Sequence, residues 1–314
     1  MSKSKYSAVG GQAVMEGIMM RSPQKSVLAV RTPDGKIVTE PMKHGSVRDK
    51  YKILRLPLIR GVVSFVESMA VGYRSLMRSA ELAGLEEETN GNKVLSSVLM
   101  VLSSVLGVAL AVGLFLLLPQ LTMDWLERIW GSLGVFRTLL EGVSRMALFL
   151  LYIILTSLMK DIKNLYRYHG AEHKTIFCFE AGEELTIENI RKQSRLHPRC
   201  GTSFLFLVLF ISILFFSVLH CFLPPMHGLV RFLVHLALLP VVAGISFEVL
   251  QYTGKHDNLF VRIVSAPGKQ LQRITTAEPT DSQIEVAIVA LRKILTDDIS
   301  GEYHPEWAYR KAQK

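Results

Sequence analysis

The sequence has few cysteines and no spacing that would join them. Of 314 residues only Cys178, Cys200 and Cys221 are cysteines, and no two of them are separated by two residues. A small secreted domain held by disulfide bonds would carry more cysteines at closer spacing. The sequence therefore does not indicate a disulfide framework.

Other patterns are also missing. The first thirty residues contain no apolar stretch of signal-peptide length, so we expect no cleaved leader. No glycine-rich loop has phosphate-binding spacing and no Gly-x-Ser-x-Gly motif occurs, which leaves phosphoryl transfer and serine hydrolysis without support. The net charge is +9 without a long basic run, which favours membrane lipid as the partner and argues against nucleic acid.

Long apolar runs, in contrast, are abundant. Residues 94–118 are 25 residues without a charge, enough to cross a hydrocarbon core of about 30 Å as one helix. Three more segments qualify, at 143–159, 202–223 and 229–250. The sequence therefore predicts an α-helical polytopic membrane protein with four transmembrane helices in residues 94–250.

The distribution of basic residues predicts the orientation. Lysine and arginine number 15 in residues 1–93, 8 in 159–202 and 9 in 251–314, whereas the connections at 119–142 and 224–228 hold only Arg128 and Arg137. Loops rich in these residues stay in the cytoplasm. We therefore expect both termini and the 160–201 loop to be cytoplasmic in a multi-pass protein.

The remaining regions predict smaller elements. Residues 27–32 and 36–41 read as strands joined at Asp34-Gly35, which indicates a small β-rich N-terminal cytoplasmic domain within residues 1–57. Residues 58–93 hold an amphipathic helix, whose apolar face could lie in the membrane interface or cover the β-domain, and a polar linker. The 251–314 region contains a predicted helix at 281–295.

One short motif has the residues of a metal site. On a continuous helix, His169 and His173 lie one turn apart with Glu172 beside them, a spacing that can hold a divalent ion next to a general base. The same His-x-x-Glu-His order occurs in inverted zinc peptidases.

Further ligands would have to come from elsewhere in the chain. His197 and Cys200 precede the third apolar segment, where Pro198 suits the first turn of a helix and a helix N-terminus favours a thiolate. The predicted topology brings these residues and Glu248 to the cytoplasmic membrane surface. A straight extension of the second span, however, would carry the motif roughly 15 to 20 Å away. Either the span is shifted towards Asp161 and Asn164, or the helix bends, for which Gly170 is suited, or the two groups do not share an ion.

Five segments resemble the YqhQ-like family of bacterial membrane proteins, which is sometimes described as containing predicted metal-dependent enzymes. They are GGQAVMEGIMMRSP at 10–23, LIRGVVSFVES at 58–68, YHGAEHKTI at 168–176, HPRCGTSF at 197–204 and AGISFE at 243–248. The resemblance implies a location in the bacterial inner membrane and brings no established substrate. Its implied metal-dependent activity falls on His169, Glu172, His173, His197, Cys200 and Glu248.

Three functions remain open at the level of sequence. The first is a divalent-metal site, with zinc as the expected ion, held by His169 and His173 with one or two of His197, Cys200 and Glu248. Glu172 would then be the general base for hydrolysis of a peptide or lipid-linked substrate. The second is a non-enzymatic scaffold or adaptor, in which a structural metal or polar network docks the N-terminal domain. Its partners would be a second copy of the chain or another membrane protein. The third is a transporter, disfavoured because the spans show almost no polar residue at mid-depth except His235.

Overall fold

The computed structural model describes residues 7–85, 93–134, 136–197, 200–223, 226, 228–253, 256 and 258–296. These residues are mostly helical, and four of the helices are long and apolar enough to cross a membrane, as predicted. The strands are β1 (Gly10–Val14), β2 (Gly17–Arg21), β3 (Ser26–Arg31) and β4 (Ile37–Met42). The helices are α1 (Val47–Lys50), α2 (Ile59–Leu82), α3 (Lys93–Val112), α4 (Leu118–Trp130), α5 (Phe136–Ser157), α6 (Lys160–Glu180), α7 (Ile187–Lys192), α8 (Gly201–His220), α9 (Gly228–Thr253), α10 (Leu259–Thr275) and α11 (Asp281–Leu295).

The four strands form one antiparallel sheet in the order β1, β2, β3, β4. The hairpin predicted from Asp34-Gly35 joins β3 to β4, and Gly35 has the positive φ of 83° that this turn requires. The segment before it, which contains Gly10, Gly11 and Gly17, forms the β1–β2 hairpin. Its turn residue Glu16 has a φ of 47°.

Helices cover both faces of the sheet. Ile18, Met20 and Ala29 pack against α6 and α11, whereas Met19 and Leu28 pack on the opposite face with the C-terminal half of α2. This division follows from the alternation of side chains along a strand. The sheet, α6, α7 and α11 therefore share a folded unit that excludes the four long apolar helices, and we call it the extramembrane unit for that reason alone.

The first apolar helix is longer than the 94–118 run. From α3 it continues through a wider π-helical turn at Gly113–Leu117 into α4, so that at 1.5 Å per residue it is about 57 Å long. The second apolar helix begins at Phe136 instead of residue 143, and Arg137 forms ion pairs with Asp124 and Glu127 of α4. The other two apolar helices, α8 and α9, begin and end within about three residues of the predicted segments 202–223 and 229–250.

The second apolar helix does not continue into the histidine motif. It ends at Ser157, and α6 begins at Lys160 after Met159, which has an extended backbone (φ −69°, ψ 137°). The bend suggested at Gly170 is therefore absent, and the change of direction occurs about ten residues earlier in the chain. This break removes the 15 to 20 Å conflict between the motif and the start of α8.

Candidate metal centre

Two histidines of α6 face the same way. His169 and His173 are one turn apart, with ring centroids separated by 4.4 Å. His169 Nδ1 lies 2.8 Å from the Thr275 carbonyl oxygen, and His173 Nδ1 lies 2.6 Å from that of Arg195. Because a carbonyl oxygen only accepts, Nδ1 carries the proton in each ring and Nε2 keeps its lone pair. Such a second partner is what orients metal-ligating histidines in proteins.

The third candidate ligand is Cys200. It is the N-cap residue of α8, so the predicted position at the start of the third apolar helix is confirmed, while Pro198 lies outside the described residues. Its Sγ lies 3.1 Å from His169 Nε2. The ligand atoms of His169, His173 and Cys200 are all within 4.8 Å of one another, close enough to share one ion.

The electrostatics of this trio favour the forms that bind metal. Burial lowers the pKa of His173, which keeps its imidazole neutral. For Cys200 burial acts against ionisation, but the pKa of the thiol is lowered overall, with hydrogen bonds from the side chain and backbone of Thr202 among the causes. A neutral imidazole and a thiolate are the protonation states that metal binding requires.

Glu172 lies on the side of α6 that meets strand β1. Its side chain is buried, and burial raises its pKa to about 7, while the Gly11 backbone N–H donates to the carboxylate. Glu172 Oε2 has no hydrogen-bond partner among the described residues. A Cβ on Gly11 would lie 2.9 Å from Glu172 Cδ, so only glycine lets β1 approach this closely.

Comparison with known proteins gives a family but no activity. Residues 56–297 match the model of a family described as "Protein of unknown function (DUF1385)". The chain is 38% identical to "Uncharacterized protein YqhQ" of Bacillus subtilis (strain 168) over 308 residues, which cover 94% of this chain and 95% of that protein. The chain belongs to the DUF1385 family. The YqhQ-like resemblance is thus confirmed, although neither description mentions a metal or a reaction. No solved structure matches the chain.

Two predicted ligands of this DUF1385 protein lie outside the trio. The His197 ring is near His173, at 5.4 Å between centroids, but its Nε2 is 3.8 Å from Glu180 Oε2. The His197 backbone makes two hydrogen bonds with the Gln272 side chain. His197 therefore lies beside the candidate centre and helps to join it to α10.

Glu248 is the other. Both of its carboxylate oxygens accept hydrogen bonds from Arg60 of α2, with 2.7 Å between Arg60 Nε and Glu248 Oε1. A bidentate guanidinium pair satisfies a carboxylate well, and the structure does not group Glu248 with the trio. The pairing joins the LIRGVVSFVES segment of α2 to the AGISFE segment of α9 in this DUF1385 protein.

A buried charge cluster between the apolar helices was missed by the sequence analysis. Glu141 of α5 is 1% exposed and forms ion pairs with Arg145 and with Arg231 of α9, whose Nη2 lies 2.9 Å from Glu141 Oε2. His235 Nδ1 is 3.9 Å from the same carboxylate. His235 therefore has charged neighbours between the apolar helices, because α5 begins before residue 143 and so includes Glu141. The signal in the sequence was the pairing of charges at positions 141 and 145, one turn apart.

Proposed function

We propose that the protein is a four-span membrane protein with a zinc centre at its cytoplasmic membrane face. The apolar lengths of α3–α4, α5, α8 and α9 support membrane insertion, and the excess of lysine and arginine in the segments that form the extramembrane unit supports a cytoplasmic location for that unit. The observation that carries the zinc centre is the convergence of His169, His173 and Cys200, with both Nδ1 atoms already occupied by carbonyls.

The donor set fits zinc. Two imidazole nitrogens and one thiolate are borderline-soft ligands, and three protein ligands leave a fourth position in tetrahedral coordination. When bound there, a zinc ion would polarise a substrate carbonyl or lower the pKa of a water molecule. The three side chains come from two separate parts of the sequence and meet in the fold. This convergence is stronger support for a metal site than the short His-x-x-Glu-His motif alone.

The centre has the parts of a hydrolase, and hydrolysis of a peptide or lipid-linked substrate is the activity we propose. Glu172 sits beside the trio with one oxygen unpartnered among the described residues. A carboxylate in this position can take a proton from an attacking water and return it to the leaving group. The Gly11 N–H donates to the same carboxylate and so restricts the orientation of the Glu172 side chain.

A structural metal centre is the second candidate, and burial favours it. His173 and Cys200 are 1% and 5% exposed, which resembles closed structural sites more than open catalytic ones. In this role the ion would join α6 of the extramembrane unit to the start of α8, and Glu172 would supply no base.

Metal content and one conservative substitution separate these possibilities. We expect the purified wild type to contain about one zinc per chain by elemental analysis, because three ligands support such a site. The double variant His169→Ala plus His173→Ala should contain almost none, and Cys221→Ser, which changes an exposed cysteine outside the trio, should match the wild type. Equal, near-zero metal in all three proteins would contradict the proposal.

Glu172→Gln then tests catalysis. The variant should keep its metal, and a deletion strain carrying it should accumulate the same membrane peptides or lipids, by mass spectrometry, as the strain without the gene. If the variant restores the wild-type profile with full metal content, the centre is structural.

A further inference from the structure

The segment before α2 and the first half of that helix carry an exposed apolar surface. Ile53 is 64% exposed, Leu56 51%, Val66 58% and Met69 60%. The buried residues of α2 are instead small, namely Gly61, Ser64, Gly72, Ser75 and Ser79. The helix therefore packs through its small face and presents large apolar side chains outward.

This segment forms a hairpin with its tip at Leu56–Leu58. One limb descends from Ser46 and Val47, which both donate hydrogen bonds to the Glu67 carboxylate, and the other limb is α2 itself. Glu67 thus joins the two limbs at a point that lies about 9 Å along α2 from Gly61, at 1.5 Å per residue. We call residues 47–66 the apolar hairpin.

The tip of the apolar hairpin lies beside the interior of the α9 span. A Cβ on Gly244 would be 2.9 Å from the Leu58 carbonyl oxygen, and a Cβ on Gly61 would be 3.0 Å from the Gly244 Cα. Gly244 is nine residues before the end of α9 at Thr253. At 1.5 Å per residue, this contact is about 13 Å from that end of the helix.

Contacts further along α2 give the direction of the hairpin. Phe65 meets Phe204 of α8, with ring centroids 5.7 Å apart, and Phe204 is three residues from the start of α8 at Gly201. Gly61 therefore contacts α9 well inside that helix, whereas Phe65, about one turn later in α2, contacts α8 near its start. From there α2 continues to the sheet, where Gly72 fits against the side chain of Gln12.

Several backbone donors around the tip have partners, as an apolar environment requires. The N–H groups of Leu54, Leu56, Ile59 and Arg60 all donate to carbonyls within the hairpin, and Pro57 has no N–H group. Backbone donors without partners are what exclude irregular segments from lipid. Basic residues with exposed side chains, Lys50, Lys52 and Arg55, precede the tip and can extend towards lipid phosphates.

We propose that the apolar hairpin inserts into the acyl-chain region of the leaflet next to the extramembrane unit, without crossing the membrane. The proposal rests on the proposed membrane insertion of α3, α5, α8 and α9. It adds a fifth membrane contact, one that sequence length alone does not identify, because no apolar run here reaches a spanning length. A lipid-inserted hairpin holds α2, and through it strand β1 with Gly11, at a fixed height above the membrane.

Fluorescence quenching by brominated lipids tests the hairpin. Single cysteines at Ile53→Cys, Leu56→Cys and Tyr73→Cys, in a Cys221→Ser background that leaves only the buried native thiols, are labelled with an environment-sensitive dye. The full-length protein is reconstituted in phosphatidylcholine and phosphatidylglycerol vesicles. With acyl-brominated phosphatidylcholine, the labels at 53 and 56 should lose most of their fluorescence and the label at 73 much less.

Two controls make the outcome decisive. Leu106→Cys on α3 should be quenched by brominated lipid, and Lys36→Cys in the β3–β4 turn should be quenched only by aqueous iodide. If 106 is quenched while 53 and 56 respond to iodide, the hairpin is in water and the inference is overturned with membrane insertion intact. If neither quencher reaches 53 and 56, a protein surface such as a second copy covers them, which also overturns it. An unquenched label at 106 overturns membrane insertion and the inference together.

Discussion

Single glycines determine how closely the parts of the candidate centre approach. Gly170 lies between His169 and His173 of the candidate centre, and a Cβ there would be 2.0 Å from the Ala277 carbonyl oxygen. This main-chain segment follows Thr275, whose carbonyl orients His169. The sequence offered Gly170 as a helix bend, but its role in the structure is to admit another part of the backbone.

Gly170→Ala should therefore destabilise the protein by about 1–3 kcal/mol, as overpacking does where backbone must move. The thermal unfolding midpoint in detergent should fall and zinc content should fall with it, because the Thr275 carbonyl would be displaced. Gly107→Ala is the matched control, since nothing lies within 4 Å of its added Cβ and alanine favours a helix by about 1 kcal/mol. A midpoint for Gly170→Ala equal to that of Gly107→Ala would contradict this account.

The helices α5 and α9 are joined by the charge cluster around Glu141. The carboxylate has two guanidinium partners, Arg145 and Arg231, in a largely buried site. Removing the shared anion leaves two buried cations close together, and breaking such a buried pair typically costs about 3–5 kcal/mol.

We accordingly expect Glu141→Gln to lower the thermal unfolding midpoint strongly, measured in detergent beside the wild type. Glu188→Gln removes a carboxylate whose side chain is 82% exposed in its pair with Lys192, and it should change stability by no more than about 0.5 kcal/mol. Similar midpoints for the two variants would show that the Glu141 cluster does not hold the helices together.

The elements differ in how far sequence could predict them. The apolar helices, the Asp34-Gly35 hairpin and α11 at 281–295 follow local rules of length, turn chemistry and periodicity, and the structure agrees with them. The break at Met159 does not follow from such local rules, because no glycine or proline marks it. It depends on tertiary contacts that hold α6 against the sheet and α11. The carbonyl groups that orient His169 and His173 belong to the backbone, which every residue type has. The amino-acid sequence therefore could not predict which residues supply them.

At the scale of the molecule, the candidate centre lies where the extramembrane unit meets the apolar helices. Its ligands come from α6, which packs on the sheet, and from the first residue before α8, while α10 contributes the carbonyl that orients His169. Glu172 extends this junction to β1 through Gly11. A metal bound here would therefore cross-link parts of the fold that are far apart in sequence.

A ligand that binds only the folded state stabilises it, by about 2.7 kcal/mol when its free concentration is one hundred times its dissociation constant. Chelation of zinc should therefore lower the thermal unfolding midpoint of the wild type in detergent, and adding zinc back should restore it. The Cys200→Ser variant supplies the control, because the loss of one of three ligands should make its midpoint nearly insensitive to both treatments. Because a bound ion joins α6 to α8, chelation should also speed proteolysis within residues 181–197, between α6 and α8, detected by mass spectrometry. A wild type that holds zinc yet melts at the same temperature after chelation would refute the cross-link, whichever of the two proposed roles the centre has.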